Sequence, residues 1–451
     1  MLFRNLTAIF IFFNIHYLFA QDSTLLICGP MLGYVQHREA LIWLETTPAV
    51  KKIQIKYFQE EAPASINTIT YDGRLGERYN PVKIILPFLD MNTRYQYEIY
   101  LNDKKQVFTF PLTFKTKMVW EFRQPAPDFS FLFGSCAYIN DALYDRPGEP
   151  YGRDPGIFDT MACVPSDFMI WLGDNMYTRE ADNTSRSGLY YRYTHDRKIP
   201  QLRRLLASRP NYATWDDHDY GPNDIGSCYE LKDVSLQAFK DFWGNETYGE
   251  SDNPGVYTHF NYIDCDFFLT DDRFYRSDDK MNDSSAAKHY LGNRQLEWLE
   301  NSLLYSKATF KFICSGSQVL NPLNDFESWR HYQKEFDGLL KFIRENKING
   351  VVFLSGDRHI SEIIKVQPDG FYPLFDITGS AFTSRFNPKF TQGKEANNAF
   401  RVVPKAVLDQ NFIKITVTGA RNNRIASVSA ITVDNMQAWN YEIHQSDITY
   451  K

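Results

Sequence analysis

The chain has 451 residues, which suggests two or three domains, and its 49 basic and 55 acidic residues give a net charge of −6. No clustered basic excess is present, so the composition excludes a typical nucleic-acid-binding protein. Hydrophobic residues make up 43% of the chain and aromatic residues 16%, which is enough for large cores.

The first 20 residues have the pattern of a secretory signal. Arg4 precedes an apolar run from Leu6 to Phe13, and the small residue Ala20 stands at the exit. This run is shorter than the ~20 apolar residues that a membrane anchor needs, and no later segment is long and apolar enough to span a bilayer. We therefore expect residues 1–20 to be a signal peptide, and the mature protein to start near Gln21 in a periplasmic or secreted location.

Residues 21–118 are predicted to form an all-β domain. Polar and apolar residues alternate at 52–57 and at 95–99, and Asn102-Asp103 can form the turn of a hairpin. Short strands separated by turns favour a sandwich. The run 89–97 resembles a fibronectin type III module, including the tyrosine corner of that fold.

Residues 119–451 are predicted to form an α/β catalytic domain, because apolar strands alternate with helical patterns. Buried strands are predicted at 129–133, 168–172, 212–215 and 351–354. Apolar residues at helical spacing predict helices around 296–303 and 336–343. Two further strands, at 412–417 and 426–431, are interpreted as closing the catalytic sheets, not as a third domain.

Each of the four buried strands runs directly into a loop that carries side chains able to bind metal. In α/β proteins the carboxyl ends of the strands are where ligands bind, so four such loops can converge at one site. The loops are Gly134-Ser135-Cys136, Gly173-Asp174-Asn175-Met176-Tyr177, Trp215-Asp216-Asp217-His218-Asp219 and Ser355-Gly356-Asp357-Arg358-His359.

Taken singly, each of these side chains could have a purely structural role. Asp174 could cap a helix, Cys136 could form a disulfide with one of the other five cysteines, and His359 could be a polar turn residue. Residues 216–219, however, place three carboxylates and an imidazole in four consecutive positions. Such a cluster repels itself unless it is solvated or neutralised by a cation. The four loops together therefore predict a metal site.

The ligand charges favour more than one metal ion. Asp174, Asp217 and Asp357, with Cys136 as thiolate and Tyr177 as phenolate, would carry five negative charges. A single divalent ion would leave the site too negative to receive a phosphate ester, whereas two cations, one of them trivalent, bring it near neutrality. Oxygen ligands suit hard cations, and phenolate with thiolate suits ferric iron.

The spacing within two loops predicts how their side chains meet. Asp174 and Tyr177 are three residues apart, so a helical turn after Gly173 would place both on one face. Asp357 and His359 are two residues apart, so an extended turn would aim both in the same direction.

The four motifs, in this order, resemble the alkaline phosphatase D family of metallophosphoesterases. The resemblance covers nearly the whole mature chain, because that family also carries an N-terminal fibronectin-like sandwich. It implies a four-layer α/β/β/α metallophosphoesterase sandwich preceded by the all-β domain. Cys136, Asp217 and Asp357 depart from the signatures of the wider superfamily in the way that characterises this family. Asp219 stands where the family usually has glutamate.

The resemblance also implies the cofactors and the roles of the site residues. It points to a ferric–calcium enzyme, with Asp174 bridging two cations that activate water for in-line attack on phosphorus. His218 would stabilise or protonate the leaving oxygen, and Arg179 or Arg358 would neutralise the phosphate oxygens. The metal ligands expected are Cys136, Asp174, Tyr177, Asp217, Asp357 and His359.

The leading hypothesis is therefore an exported hydrolase of phosphate mono- or diesters. One alternative is the hydrolysis of a related ester, such as a sulfate ester, on the same scaffold. Another is a metal-stabilised adhesion or glycan-binding protein, for which the fibronectin-like module is the clue. That alternative predicts metals fully enclosed by protein ligands, which this set of loops does not favour.

Overall fold

A computed structural model describes residues 25–451. The predicted signal peptide at 1–20 lies outside the described residues. Across the described part of the chain, no helix combines the length and the hydropathy that crossing a membrane requires.

Twenty strands and seven α-helices make up the described chain. The strands are β1 (Leu26–Val35), β2 (Ala40–Thr46), β3 (Ile53–Gln59), β4 (Asn67–Thr70), β5 (Pro81–Leu86), β6 (Arg94–Leu101), β7 (Lys104–Lys105), β8 (Thr113–Lys115), β9 (Phe129–Gly134), β10 (Phe168–Leu172), β11 (Asn211–Thr214), β12 (Thr258–Tyr262), β13 (Cys265–Leu269), β14 (Phe310–Cys314), β15 (Val351–Ser355), β16 (Glu362–Val366), β17 (Leu374–Thr378), β18 (Asn411–Thr418), β19 (Ile425–Thr432) and β20 (Gln437–His444). The helices are α1 (Gly156–Cys163), α2 (Arg186–Arg197), α3 (Pro200–Ser208), α4 (Asp217–Tyr220), α5 (Lys232–Phe242), α6 (Asn293–Tyr305) and α7 (Gln333–Glu345).

The N-terminal strands form the expected β-sandwich. One sheet has the order β1-β2-β5, and the other has the order β4-β3-β6-β7 with β8 paired to β6. Asn102 and Asp103 both have positive φ, as a tight hairpin turn between β6 and β7 requires. The backbone N–H of Asp90 donates to Tyr95 Oη at 2.8 Å, which is the contact of a tyrosine corner.

The remaining strands form two six-stranded sheets that pack face to face. Their orders are β11-β10-β9-β18-β19-β20 and β12-β13-β14-β15-β17-β16. Aromatic rings fill the space between them: Phe131 of the first sheet lies 5.1 Å from Phe267 and 5.5 Å from Phe312 of the second, measured between ring centroids. β18 pairs antiparallel with β9, so the C-terminal strands extend the first of these sheets.

Helices cover the outer faces of both sheets. In α7 the buried residues Phe336, Leu339 and Ile343 recur at helical spacing, so one face of the helix packs inward and the other meets solvent. Leu299 and Leu303 do the same for α6. The predicted fold class, an α/β/β/α sandwich preceded by an all-β domain, is confirmed.

The β-sandwich and the catalytic sandwich share an extensive contact. Trp43 of β2 donates its indole N–H to the carbonyl of Asp241 at 2.8 Å and packs 5.6 Å from Phe242. Cys28 and Met31 of β1 also belong to the larger, catalytic core. The predicted boundary at residue 118 stays a prediction, because the cores meet across it.

Candidate metal centre

Three of the four loops leave one edge of the first sheet. β9, β10 and β11 run parallel, so their carboxyl ends lie side by side. Gly173 has φ of +83°, and a Cβ there would lie 2.6 Å from the Cβ of Asp216. Glycine at this position therefore lets the loop after β10 approach the loop after β11.

Four of the predicted ligands have a left-handed backbone, which residues with a Cβ rarely adopt. The φ values are +64° for Cys136, +50° for Asp174, +64° for Asp357 and +54° for His359. Strain of this kind persists where the surrounding structure holds it, and it concentrates at functional sites. The helical turn expected after Gly173 is not formed, because the chain bends at Gly173 and Asp174 is not helical. The extended turn expected at Asp357 is not formed either, because Asp357 and His359 both have a left-handed backbone.

The structure brings candidate ligand atoms together in three groups. In one of them, Asp216 with Asp217 and Glu327, the carboxylates pair with Arg273; the other two groups share one residue. Cys136, Asp174 and His359 each offer an atom within 4.8 Å of the others, and so do Asp174, Asp217 and His218. Asp174 therefore lies where it could contact a cation in each group. Asp357 is in neither group, although its charge raises the pKa of both Cys136 and Asp174.

Tyr177 completes the first group. Its phenol donates to Asp174 Oδ2 at 2.9 Å and lies 3.1 Å from His359 Nε2. Cys136 Sγ lies 3.5 Å from the same carboxylate oxygen of Asp174. None of the six cysteines, all within the described residues, forms a disulfide, so the bridge considered for Cys136 is not made.

The electrostatics of the site fit a bound cation. Burial, followed by the charges of Cys136 and Asp217, raises the pKa of Asp174 well above its usual value. Burial also raises the pKa of Asp357 to about 6 and that of Cys136 to about 11. These groups resist ionisation chiefly because they are buried, and the negative charges of their neighbours add to the effect; metal ions would supply the missing positive charge.

Asp217 differs from its neighbours. Burial raises the pKa of its carboxyl, but the charges of His218 and Arg273 outweigh this and hold the pKa below its ordinary value. The backbone N–H of Asp224 adds a hydrogen bond to Asp217 Oδ2 at 2.8 Å. Asp217 is therefore ionised and oriented before any metal binds.

The imidazole of His359 is oriented by contacts on its Nδ1 side. Its Nδ1 lies 2.7 Å from the carbonyl oxygen of Arg385 and 3.2 Å from Tyr151 Oη. Because a carbonyl only accepts, Nδ1 carries the hydrogen and Nε2 keeps its lone pair on the side of Tyr177.

His218 keeps part of its side chain in contact with solvent. Its Nε2 lies 3.8 Å from Asp217 Oδ2, and its side chain is 22% exposed. The centroid of its ring lies 4.1 Å from that of Tyr177. The imidazole is therefore anchored beside the ligand groups and still accessible from outside.

The two arginines expected to bind substrate are engaged differently. Arg179 donates to Asp145 Oδ1 at 2.7 Å and to the carbonyl of Ile139 at 2.7 Å, so its guanidinium braces the loop around the site. Arg358 pairs with Glu395 at 2.8 Å, and its Nη1 is buried with no hydrogen-bond partner among the described residues. Arg358 therefore has an N–H donor that no protein group in the described chain accepts. Most N–H donors of Arg179 are already used.

A buried ionic cluster that the sequence patterns did not predict lies beneath the site. Arg273 binds Glu327 at 2.7 Å, contacts Asp216 and lies 3.7 Å from Asp217. Asp216, which resembles a further ligand in the sequence, is thus neutralised by an arginine. A local signal does exist, because Thr270-Asp271-Asp272-Arg273 follows the apolar strand β13 as the other loops follow theirs.

Comparison with known proteins agrees with this geometry. The model of the PhoD-like phosphatase family matches residues 135–399, and that of a domain of unknown function matches residues 23–116. Alkaline phosphatase D of Bacillus subtilis (strain 168) is 24% identical over 304 residues, which cover 57% of this chain and 50% of that protein. The chain thus matches about half the length of this curated relative.

Two solved structures share the fold. A structure of PhoD superposes with a TM-score of 0.73 at 18% identity, covering 94% of this chain and 91% of that one. A purple acid phosphatase from yellow lupin seeds superposes with a TM-score of 0.61 at 12% identity, covering 92% and 73%. Because the family match extends over more than half of the sequence and includes all six expected metal ligands, the chain belongs to the PhoD-like phosphatase family.

Proposed function

We propose that this protein is a metal-dependent phosphoric ester hydrolase that acts on phosphate mono- or diesters. The observation that carries the proposal is the shared position of Asp174, whose carboxylate belongs to both groups of ligand atoms. A site with two adjacent cation positions suits displacement at phosphorus, in which both the attacking and the leaving oxygen need stabilisation.

The two groups differ in the metals they suit. Cys136 and Tyr177 offer soft and phenolate donors to the first group, which favours ferric iron, and His359 adds an imidazole. The second group is dominated by the carboxylates of Asp174 and Asp217, which favour calcium. When bound, such cations activate water and neutralise phosphate oxygens. Asp357 lies outside both groups, so it would contribute its negative charge to the site from a distance. To bind a cation directly, its side chain would have to move, or the cation would have to lie closer to Asp357.

The protein groups around the metals have separate tasks. The partly exposed ring of His218 can donate a hydrogen bond to the leaving oxygen. Without metal, the phenol of Tyr177 holds the carboxylate of Asp174 by a hydrogen bond, which it would give up on becoming a phenolate ligand. Arg358 has a donor left for a phosphate oxygen, and Arg179 acts by holding the loop at Ile139 and Asp145.

The function is tested with a substrate panel on purified protein. We expect hydrolysis of a p-nitrophenyl phosphate monoester or diester, loss of that activity with a chelator, and weaker hydrolysis of p-nitrophenyl sulfate. A preference for the sulfate ester would favour the alternative hydrolase. Binding of glycans with no ester hydrolysis, in a sample with full metal content, would favour the adhesion protein.

The metal assignment predicts a coloured protein. Phenolate and thiolate ligands donate charge to ferric iron, so we expect a visible absorption band that shifts in Tyr177→Phe and in Cys136→Ser. A calcium chelator should abolish activity and leave most of the colour. The matched control is Tyr305→Phe, an exposed tyrosine on α6, which should leave the band unchanged. An active, metal-loaded sample without visible absorption would exclude ferric iron.

We also infer export from the pattern of residues 1–20. The mass of protein expressed in its native host should correspond to a chain that starts near Gln21. A mass that includes Met1 to Ala20 would contradict this inference.

A further inference from the structure

A cleft of about 730 Å³ lies between the β-sandwich and the catalytic sandwich, at the end opposite the metal centre. Phe129 and Phe168, the first residues of β9 and β10, line it, whereas the metal loops leave the other ends of these strands. Five strand residues at ~3.3 Å each separate the two ends by roughly 17 Å. The cleft is therefore a separate space of the size that small-molecule sites have.

The cleft carries positive charge that the protein leaves uncompensated. Five cationic residues line it without a carboxylate partner among the described residues: Arg94, Lys115, Lys117, Arg209, which donates to backbone carbonyls, and Lys307. Among the carboxylates of the lining, Glu121 pairs with Arg421 and Asp264 with Arg424. Asp167 has no cationic partner in the described part of the chain and accepts hydrogen bonds from the Ser130 N–H and the Tyr262 hydroxyl. An excess of unpaired cations in a partly enclosed space favours an anion.

Two features make this positive charge unfavourable. Arg94 and Lys115 stand directly opposite each other on the antiparallel strands β6 and β8, where like charges repel. Lys117 is half-buried, and its ammonium donates to the carbonyl of Asn261 at 2.8 Å. Burial lowers the pKa of Lys117 to about 8, because no carboxylate contacts the ammonium. A bound anion would relieve both costs.

Aromatic residues supply the other half of a binding site. Trp120 and Tyr262 both line the cleft, and the ammonium of Lys117 lies 5.8 Å from the centroid of the Tyr262 ring. Ligand sites typically combine such apolar faces with a few placed polar groups.

We propose that this cleft binds a small organic anion, whose acidic group lies against Lys117, Arg94 and Lys115 and whose aromatic or aliphatic body packs on Trp120 and Tyr262. The site is independent of ester hydrolysis, because the cleft opens at the amino ends of β9 and β10 and none of its residues belongs to the metal loops.

The test uses the fluorescent aromatic sulfonate 8-anilinonaphthalene-1-sulfonate with the full mature protein. We expect saturable binding at one site, and at least about tenfold weaker binding in Lys117→Met. The double variant Arg94→Met/Lys115→Met should show the same loss of binding. Because both of these positions are exposed, the double variant should fold normally, so it tests the site even if Lys117→Met does not fold. N-Phenyl-1-naphthylamine, which has the same ring system without the sulfonate, should bind at least about tenfold more weakly than the sulfonate.

Two controls locate the probe. Lys334→Met, an exposed lysine on α7, should bind as the unmodified protein does, and so should Asp174→Asn at the metal centre. The proposal would be overturned if Lys117→Met and the double variant bound the sulfonate as tightly as the unmodified protein does. Loss of binding in Asp174→Asn would also overturn it. Absence of saturable binding would overturn it as well.

Discussion

The variant Asp174→Ala should lose bound metal and phosphoesterase activity together. Its carboxylate is common to both groups of ligand atoms, so one substitution removes a charged donor from each. Removing a group that only orients a metal ligand lowers metal affinity by about 10- to 100-fold. Because Asp174 is shared by both groups, we expect its removal to lower metal affinity by more than about 100-fold. Metal content by mass spectrometry and turnover of a p-nitrophenyl phosphate ester measure the two effects.

The matched control is Asp72→Ala, an exposed carboxylate of the β-sandwich that should leave both quantities unchanged. Asp217→Ala and Asp357→Ala should also lose metal and activity together. If Asp174→Ala kept its full complement of metal, the two-cation arrangement would be wrong.

The variant His218→Ala should keep its metals and lose turnover. We expect kcat to fall by about 10²- to 10⁴-fold, the usual contribution of acid–base assistance. The structure makes this a discriminating test, because the ring of His218 also lies within reach of Asp174 and Asp217 as a ligand. Metal content therefore decides between the two roles, and kcat measures the chemical one.

His444→Ala is the matched control, since this histidine is partly exposed at the end of β20, away from the metal loops. A substrate whose leaving group needs no protonation, such as a p-nitrophenyl ester, should suffer less from His218→Ala than an alkyl phosphate does. Loss of metal in His218→Ala with activity falling in parallel would reassign the residue as a ligand.

The sequence by itself determined the elements and the loops that carry the site. The strand predicted at 168–172 is observed at Phe168–Leu172, because an unbroken apolar run that ends in glycine and aspartate is a local property of adjacent residues. The same reasoning located the polar segments at 134–136, 215–219 and 355–359, because the polar residues follow their strands directly, although residues 217–219 form the start of helix α4 and not a loop.

Only the tertiary structure decided which of these side chains meet. Asp174 joins both ligand groups, and Asp357 stands outside them, although the sequence presents the two carboxylates alike. Arg179 is occupied by Asp145, 34 positions away, and Asp216 is neutralised by Arg273 from the facing sheet. The physical reason is that strand and turn formation depends on neighbouring residues, whereas the partner of a buried charge is set by the packing of distant segments, which leaves no local periodicity in the sequence.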